Sequence, residues 1–482
     1  MEVTSQAPTS LKSILLSCPT ELLVEVVKNL PCLDILRARK TCKHLYEITK
    51  SLEVWRHVVV QEPRQKLWLE RPVDTYTSEE LELLALRRVS VEIGYDNLVQ
   101  GVRPHQHTIS TIGRAVESTK LVPGGRWLFV ATTRGGIFYY DLDDKECIPH
   151  PFIPDQSTLC KTAMAIDVDI SSPYLKFNFA AGVTEQTLFH NAKTRVQVWE
   201  VTLLLDDHGR GIGLQGEYLA TIEEVHRDGF FSRFMLSGRH YASIFFGTDD
   251  SMDLGFGPWK IVHDGERGYQ QRIGDTGNRA LSLLPNGRLF FLTKSRGSFY
   301  PPISEDLLVI SNDDWNPIDC RPLVGVEEHS LSNPITHEGS FRFVVLARDI
   351  LHGIIIDPQE PDLPKIQVVP IAPFLNVDPN RPLLLSDNFV LSWSSDDGLV
   401  LRRIMWKPDF TSPHVRLHPR ERMHGPSRHF STYHLDSASG RVVIQREKEI
   451  LVQSFAFLSL PRAYKHWNVV GKPPRIFGKE TR

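Results

Sequence analysis

The stretch from about residue 115 to residue 460 constrains the fold most, because its apolar residues alternate with polar ones between short polar turns. A short apolar strand, a tight turn and a second alternating strand recur along it, as in LSLLPNGRLFFLTK (281–294). Alternation with a period of two predicts β-strands, and Gly, Pro, Asp and Asn at the breaks predict turns. Helical periodicity is nearly absent here, so the sequence predicts a large all-β domain.

Seven such units follow one another, spaced at roughly 43 to 67 residues. Their most regular parts are KLVPGGRWLFV, YLKFNFAAG, RFMLSGRHYASIFFG, LSLLPNGRLFFLTK, FRFVVLARDILHGIIID, FVLSWSSDDGLVLRRIMW and TYHLDSASGRVVIQREKEILVQSF. The repetition predicts a diverged β-propeller with seven blades, or six to eight. A pair of β-sandwiches stays open as the alternative fold, because the repeats are irregular and lack Trp-Asp and Gly-His signatures.

Composition limits the partners and the compartment. The chain has 482 residues, a formal charge of −3 and a pI near 6.7, which give it no bulk electrostatic preference for nucleic acid or membranes. Its six cysteines are widely scattered, and it has no N-glycosylation sequon. No apolar run approaches the roughly 20 residues of a membrane span. We therefore expect a soluble protein of the cytoplasm, the nucleus or both.

An aliphatic segment near the start, PTELLVEVVKNLP (19–31), predicts an amphipathic helix. Its apolar residues recur every three or four positions, which places them on one face: Leu22, Leu23, Val26, Val27 and Leu30. Pro19 suits the first turn of this helix, and Pro31 ends it. Little of the sequence precedes the helix, so we expect another element or a partner to cover this face.

Two shorter helices are predicted next, at 33–39 and 41–49, and the segment TSEELELLALRRVSVEIGYDN (77–97) predicts a connecting helix that Thr77 or Ser78 caps. The predicted protein is thus of the α+β multidomain class, with a small all-α domain before the large all-β domain. Its predicted segments are a disordered N-terminus (1–10), the helical domain (11–60), a linker with a helix near 79–93 (61–114), the β domain (115–460) and a basic tail (461–482).

Residues 18–58, CPTELLVEVVKNLPCLDILRARKTCKHLYEITKSLEVWRHV, resemble an F-box. In that family a Leu-Pro pair opens the motif, and a Glu-Leu-Leu helix, an Asp-Leu step, a Val-Cys-Lys run and a closing Trp follow. The matching residues are Pro19, Glu21, Leu22, Leu23, Leu30, Asp34, Cys42, Lys43 and Trp55, with Val26, Val27, Ile35 and Leu36 as aliphatic equivalents. Cys18, Thr41 and Leu45 depart from the pattern. The domain order is also similar to that of F-box proteins expanded in mushroom-forming fungi.

The resemblance implies that the helical domain docks on a Skp-family adaptor, which bridges to a cullin and its RING subunit in an SCF ubiquitin ligase. The adaptor-binding residues that it implies are Pro19, Leu22, Leu23, Val26, Val27, Leu30, Ile35, Leu36, Leu45 and Trp55. If the adaptor covers all five aliphatic side chains of the first helix, their burial contributes roughly 8 to 15 kcal/mol before association costs. The β domain would hold a protein target, not nucleic acid or a membrane.

Three further motifs carry weaker signals. GIGLQG (211–216) has the Gly-x-Gly-x-x-Gly spacing, but a strand-like segment follows it, so a flexible hairpin loop is the preferred interpretation. HRDG (226–229) lacks the metal-binding Asn of a kinase loop. HQH (105–107) has no nearby third ligand and is interpreted as exposed linker.

No residue lies in a pattern that activates a nucleophile, so we expect no catalytic residue, cofactor or metal site. The leading hypothesis is a non-catalytic substrate receptor of an SCF-type ligase. An adaptor-bound protein with a structural or scaffolding role shares every one of these sequence features, and a propeller enzyme is a third alternative. The aromatic residues of the β domain, which include Trp127, Trp199 and Trp259, are expected to pack between sheets.

Overall fold

The computed structural model describes residues 18–61, 69–98 and 104–456. The last range has gaps at 112, 157, 186–193, 225–228 and 248–251, and at most connections between strands from residue 260 to residue 448. The segments predicted as a disordered N-terminus (1–10) and a basic tail (461–482) lie outside the described residues. Within the described part of the chain, no helix combines the length and the apolar character that a membrane crossing needs.

The chain divides into two compact units: one comprises Met1–Asn97 and Phe455–Arg482 and is called here the helical unit, and the other, the β unit, runs from Leu98 to Ser454. The helical unit contains five α-helices and one 3₁₀ turn among its described residues. Its elements are α1 (Thr20–Lys28), α2 (Cys32–Arg39), α3 (Lys43–Ile48), α4 (Leu52–Gln61), the 3₁₀ turn Val73–Thr75 and α5 (Ser78–Leu98). Prolines set the first two boundaries, because Pro19 and Pro31 occupy the N-cap positions of α1 and α2.

The described residues of the β unit form a series of seven antiparallel sheets, here called blades 1 to 7. Blade 1 contains β2 (Val116–Leu121), β3 (Trp127–Thr132), β4 (Ile137–Asp141) and β5 (His150–Ile153). Blade 2 contains β6 (Cys160–Val168), β7 (Lys176–Glu185), β8 (Thr194–Leu205) and β9 (Gly211–Glu224). Blade 3 contains β10 (Gly229–Ser237), β11 (His240–Gly247), β12 (Met252–Pro258) and β13 (Tyr269–Ile273).

The remaining blades follow the same up-and-down order. Blade 4 contains β14 (Ala280–Leu283), β15 (Leu289–Leu292), β16 (Gly297–Tyr300) and β17 (Ile318–Cys320). Blade 5 contains β18 (Val326–Leu331), β19 (Ile335–His337), β20 (Ser340–Ala347), β21 (Ile350–Asp357) and β22 (Lys365–Pro373). Blade 6 contains β23 (Leu384–Leu385), β24 (Phe389–Ser394), β25 (Gly398–Trp406) and β26 (Pro413–Arg416), and blade 7 contains β27 (Thr432–Asp436), β28 (Arg441–Gln445), β29 (Glu449–Ser454) and β1 (His105–Ser110).

The seven blades close into a ring. The first strand of each blade contacts the first strand of the next, from β2 through β6, β10, β14, β18, β23 and β27 and back to β2. A pair of β-sandwiches would not produce this cyclic series of contacts, since each sandwich has its own two facing sheets. The prediction of a small helical domain followed by a seven-bladed propeller is confirmed, and the sandwich alternative is excluded.

The structure corrects the interpretation of HQH (105–107) as linker, although His105 and Gln106 are exposed as predicted. These residues begin β1, which pairs with β29 from His105↔Ser454 to Ser110↔Glu449 and becomes the outermost strand of blade 7. Ile109 of β1 is buried at 2% exposure. A strand from the start of the propeller thus completes its last sheet, so the β unit begins before residue 115.

Polar contacts across the blade 7–blade 1 junction reinforce this closure. Arg441, the first residue of β28, donates to the carbonyls of Gly125 (2.6 Å) and Leu142 (3.2 Å) in blade 1 and forms an ion pair with Asp143. Asp436 accepts from the backbone N–H of Gly124 at 3.3 Å. Arg441 is itself buried. Because charge-assisted hydrogen bonds are the stronger ones, these contacts hold the two ends of the ring together.

Aromatic packing joins blade 1 to blade 2. Phe129 of β3 stacks on Phe179 of β7 with 4.5 Å between ring centroids, and Phe152 meets both rings edge-on. Trp127 is fully buried in the same cluster, against which Trp199 packs. Trp259 is buried in the next cluster, between blades 2 and 3. These three tryptophans pack between sheets, as the sequence predicts.

Candidate functional site

The helix α1 divides its aliphatic side chains between two environments. Leu23 and Val27 are each 2% exposed and belong to the core of the helical unit. Leu22 is 57% exposed and Val26 54%. A helix turns about 100° per residue, so the five predicted positions span an arc of about 140°, with Leu22 and Val26 at one edge and Val27 at the other. The five positions therefore share one face of the helix, as predicted, but the core of the helical unit already covers Leu23 and Val27 and leaves Leu22 and Val26 exposed.

The other predicted adaptor-binding residues fall into the same two groups. Ile35, Leu36 and Trp55 are buried in the core of the unit, and Leu30 and Leu45 pack against it while partly exposed. Pro19 is exposed at the start of α1. Leu33, on the first turn of α2, is a further exposed aliphatic side chain, at 40%, which the sequence prediction did not include. We call Pro19, Leu22 and Val26, which lie on one side of α1, the exposed edge of the helical unit and take them, together with Leu33, as its candidate binding surface.

The core of the helical unit extends well past residue 60. Leu81, Ala85 and Leu86 of α5 are buried in the same cluster as Leu23 and Trp55. Short helices bury too little surface to be stable alone, and α5 supplies the missing layer. The helix that the sequence placed in a linker is thus a structural part of this unit.

A buried ion pair fixes α5 to α2. Arg39 donates to both carboxylate oxygens of Glu82, at 2.6 and 2.9 Å, and also to the carbonyl and hydroxyl oxygens of Thr49. Trp55 donates its indole N–H to the same Thr49 carbonyl at 2.8 Å, and the Arg39 guanidinium lies 5.7 Å from its ring centroid. The bidentate geometry sets the position of α5 on the helical unit.

The start of α5 is secured by a capping box. Glu80 accepts from the backbone N–H of Thr77 at 2.8 Å, and Thr77 Oγ1 accepts from the backbone N–H of Glu80 at 3.3 Å. Of the two residues predicted as caps, Thr77 takes the capping position. Glu80 also pairs with Arg71 at 2.7 Å, and these hydrogen bonds and the nearby charge hold the pKa of Glu80 below its usual value although burial opposes them.

In the β unit, the GIGLQG segment has a packing role. It lies in β9, not in a hairpin loop as predicted, and two of its three glycines, Gly213 and Gly216, face aromatic side chains of blade 1. A Cβ on Gly216 would lie 2.5 Å from a ring carbon of Phe152, and one on Gly213 would lie 3.2 Å from the hydroxyl of Tyr139. Tyr139 accepts from the backbone N–H of Leu214 at 3.3 Å. The glycines therefore allow two blades to approach closely.

We expect Gly216→Ala to destabilise the propeller by about 1–3 kcal/mol, because the added methyl group overpacks a ring that three other aromatic side chains already confine. Chemical denaturation of the full chain measures this loss. Replacing Phe152 by Leu in the same chain makes room for the methyl group, so the double variant should lose less than the sum of the two single changes. Strict additivity of the two losses would contradict the proposed contact.

The remaining polar motifs form no reactive centre among the described residues. His107 Nε2 lies 3.8 Å from Cys147 Sγ, but burial raises the pKa of Cys147 to about 11 and lowers the pKa of His107. The thiol is therefore protonated at neutral pH and is a poor nucleophile. Within the described ranges, no group of three His, Cys, Asp or Glu side chains is placed to hold a metal ion. Residues 226–228 of HRDG lie outside the described residues.

The comparison with known protein families supports the resemblance of the helical unit to an F-box. Residues 15–57 match the F-box domain family. No curated protein matches the chain significantly.

Solved structures similar to this chain include the WD40 domain of SCAP from fission yeast, with a TM-score of 0.37, 10% identity and coverage of 71% of this chain and 85% of that one. The RRP9 WD40 repeats (TM-score 0.38, 10% identity) and U3-55K (TM-score 0.36, 9% identity) each cover 73% of this chain and 99% of their own. Similarities at this level are not evidence for the fold. The strand order and the ring of contacts between blades establish the propeller. Residues 15–57 are an F-box domain, and a seven-bladed β-propeller follows it in the same chain.

Proposed function

We propose that this chain is the substrate-receptor subunit of an SCF-type ubiquitin ligase. F-box domains generally bind Skp-type adaptors. The observation that supports this role here is the exposed edge of the helical unit, where Leu22 and Val26 remain more than half exposed on a helix whose Leu23, Val24 and Val27 side chains are buried. Apolar side chains left in water on an ordered helix are typical of a surface that binds a partner.

Fewer aliphatic side chains remain exposed for an adaptor to bury than the sequence predicted, so the expected gain in binding free energy is smaller. Leu23 and Val27 are buried before any partner binds, so their burial belongs to folding and not to association. Covering the still exposed halves of Leu22, Val26 and Leu33 contributes roughly 2 to 5 kcal/mol before association costs. Stable assembly would therefore also draw on polar contacts around the exposed edge.

In this proposal the chain acts by tethering and contributes no reacting group. The F-box holds the chain on the adaptor, and the propeller holds a protein target, so that target lysines meet the ubiquitin-loaded enzyme at high effective concentration. The F-box would bind as one ordered unit that includes α5, because the Arg39–Glu82 pair fixes that helix to it. A unit ordered before binding loses less conformational entropy on association.

Replacing both Leu22 and Val26 by Asp should abolish binding of a purified Skp-family adaptor, because two carboxylates would be desolvated in an apolar interface. Both side chains are exposed, so the helical unit should stay folded, whereas Asp at Leu23 would be buried and would unfold it. Calorimetry with the adaptor measures binding, and far-ultraviolet circular dichroism checks the fold. Ile93→Asp, at an exposed apolar position of α5, is the matched control and should bind normally. A doubly substituted chain that keeps its affinity would rule out the exposed edge as the adaptor site.

A second experiment separates the ligase role from an adaptor-bound scaffolding role. Affinity capture of the full chain from its source cells, followed by mass spectrometry, should recover the adaptor together with a cullin. Recovered target candidates should then be ubiquitinated in a reconstituted reaction by the wild-type chain and not by the Leu22→Asp/Val26→Asp variant. Adaptor without cullin would favour the scaffolding role, and absence of both would remove the basis of the proposal.

A further inference from the structure

Exposed apolar side chains concentrate at one end of blade 2. Five of them lie at the turns that join β6 to β7 and β8 to β9, and we call them the blade 2 patch: Ile170 (69% exposed), Tyr174 (41%), Leu204 (38%), Leu205 (37%) and Ile212 (61%). Single exposed hydrophobic residues are common on protein surfaces, but a group at one end of one sheet is not.

Strand pairing places four of these residues, all except Ile170, on neighbouring backbone segments. Lys176 pairs with Thr202, and the N–H of Leu203 donates to the carbonyl of Leu175 at 3.1 Å, so Tyr174 lies across from Leu204. On the other side of β8, Leu204 pairs with Gly213 and Leu205 with Gly211, which places Ile212 between the two pairings. The patch is thus carried by adjacent backbone segments.

Acidic turns surround the patch. The turns at 142–149, 169–175 and 206–210 carry six carboxylates against two cationic side chains, Lys145 and Arg210. The first and third turns are neighbours, because Arg126 binds both Asp141 (2.7 Å) and the carbonyl of Gly211 (2.8 Å). Only one of the six carboxylates, that of Asp143, pairs with the buried Arg441. The other five, against Lys145 and Arg210, leave an excess of three negative charges around the apolar side chains.

The turns hold two of these carboxylates in place. Asp206 accepts from the backbone N–H groups of His208 (2.9 Å) and Arg210 (2.7 Å), and Asp169 accepts from the backbone N–H and hydroxyl of Ser171 (2.9 and 2.6 Å). These hydrogen bonds lower the pKa of both carboxyl groups. These two carboxylates are therefore ionised at neutral pH and held in fixed positions.

We infer that the blade 2 patch binds a protein segment in which apolar side chains are flanked by Lys or Arg. An apolar centre with an ionised acidic rim complements such a segment in both hydrophobicity and charge. The same rim repels the phosphates of nucleic acids and of anionic lipids, which excludes those partners. This inference rests on the proposed function in one respect, that the propeller holds a protein, and it states the chemistry of the segment that is held.

Selection of a random 12-residue peptide phage library on the full chain tests this inference. We expect the selected peptides to combine two or more large apolar residues with a net positive charge. Fluorescence anisotropy with the synthetic peptides should show at least about tenfold weaker binding to a Leu205→Ser/Ile212→Ser variant, which corresponds to about 1.4 kcal/mol. Leu159→Ser is the matched control, because Leu159 is 57% exposed and immediately precedes β6 at the opposite end of blade 2.

Changing Asp207 to Lys should also lower the affinity of the chain for the selected peptides and should make peptide binding less sensitive to salt. Neutral or acidic selected peptides, or peptides that bind the patch variant as well as the wild-type chain, would overturn the inference. Patch-dependent binding of phosphatidylserine vesicles or of single-stranded RNA would overturn it as well. Adaptor binding of the same variants, measured in parallel, keeps the two proposals apart: peptide binding that the patch substitutions leave unchanged, together with normal adaptor binding, contradicts this inference alone.

Discussion

A propeller fragment that spans residues 104–456 should fold, whereas one that spans 115–456 should lose several kcal/mol of stability and self-associate. The shorter fragment lacks β1, which forms the outer edge of blade 7 by pairing with β29. Ile109 is buried there, and loss of a buried Ile side chain alone costs about 2–5 kcal/mol. Without β1, the backbone groups of β29 form an open edge that can pair with another chain.

Denaturant unfolding and size-exclusion chromatography of both fragments measure these effects. The fragment 104–456 with Ile109→Ala is the control that separates side-chain burial from strand pairing, and its stability should fall between the other two. A fragment from residue 115 that is monomeric and as stable as the longer one would show that β1 does not close the ring.

The strand β1 illustrates what local sequence pattern misses. HQHTIS contains one aliphatic residue, so it has neither the alternation nor the apolar content of a typical strand. Its strand conformation comes from pairing with residues at the far end of the domain, at a sequence separation that a short window does not cover. The seven blades were predictable because each blade's strand–turn–strand pattern is local.

The helix α1 shows a related limit. The period of its apolar residues identifies five aliphatic positions, and these do lie on one arc of the helix. The period alone does not say which edge of that arc is covered by other helices of the same unit. That depends on Trp55 in α4 and Leu81 in α5, which approach α1 only in the folded unit. Similarly, the glycines of GIGLQG have the spacing of a nucleotide-binding loop. Their role in the structure is instead to leave room for Phe152 and Tyr139 of the neighbouring blade. The exposed edge and the blade 2 patch both depend on such three-dimensional contacts.

Replacing Glu82 by Leu should destabilise the helical unit by about 3–5 kcal/mol, because the buried guanidinium of Arg39 would lose its counter-ion. The two side chains are 9% and 11% exposed, so water cannot replace the carboxylate. Thr49 would remain a partner of Arg39, but neutral oxygens do not compensate a buried charge. Hydrogen exchange with mass spectrometry should show faster exchange throughout α2, α4 and α5, with the propeller blades unchanged.

The double variant Arg39→Met/Glu82→Leu distinguishes loss of a charge partner from loss of packing. It removes both charges and keeps similar side-chain volumes, so it should recover most of the stability that Glu82→Leu loses, as replacement of buried ion pairs by apolar residues often does. Adaptor affinity should recover with it, because the exposed edge lies on a helix that α5 supports. If the double variant is as unstable as Glu82→Leu alone, the pair is not what fixes α5, and the buried side chains of Leu81, Ala85 and Leu86 carry that role.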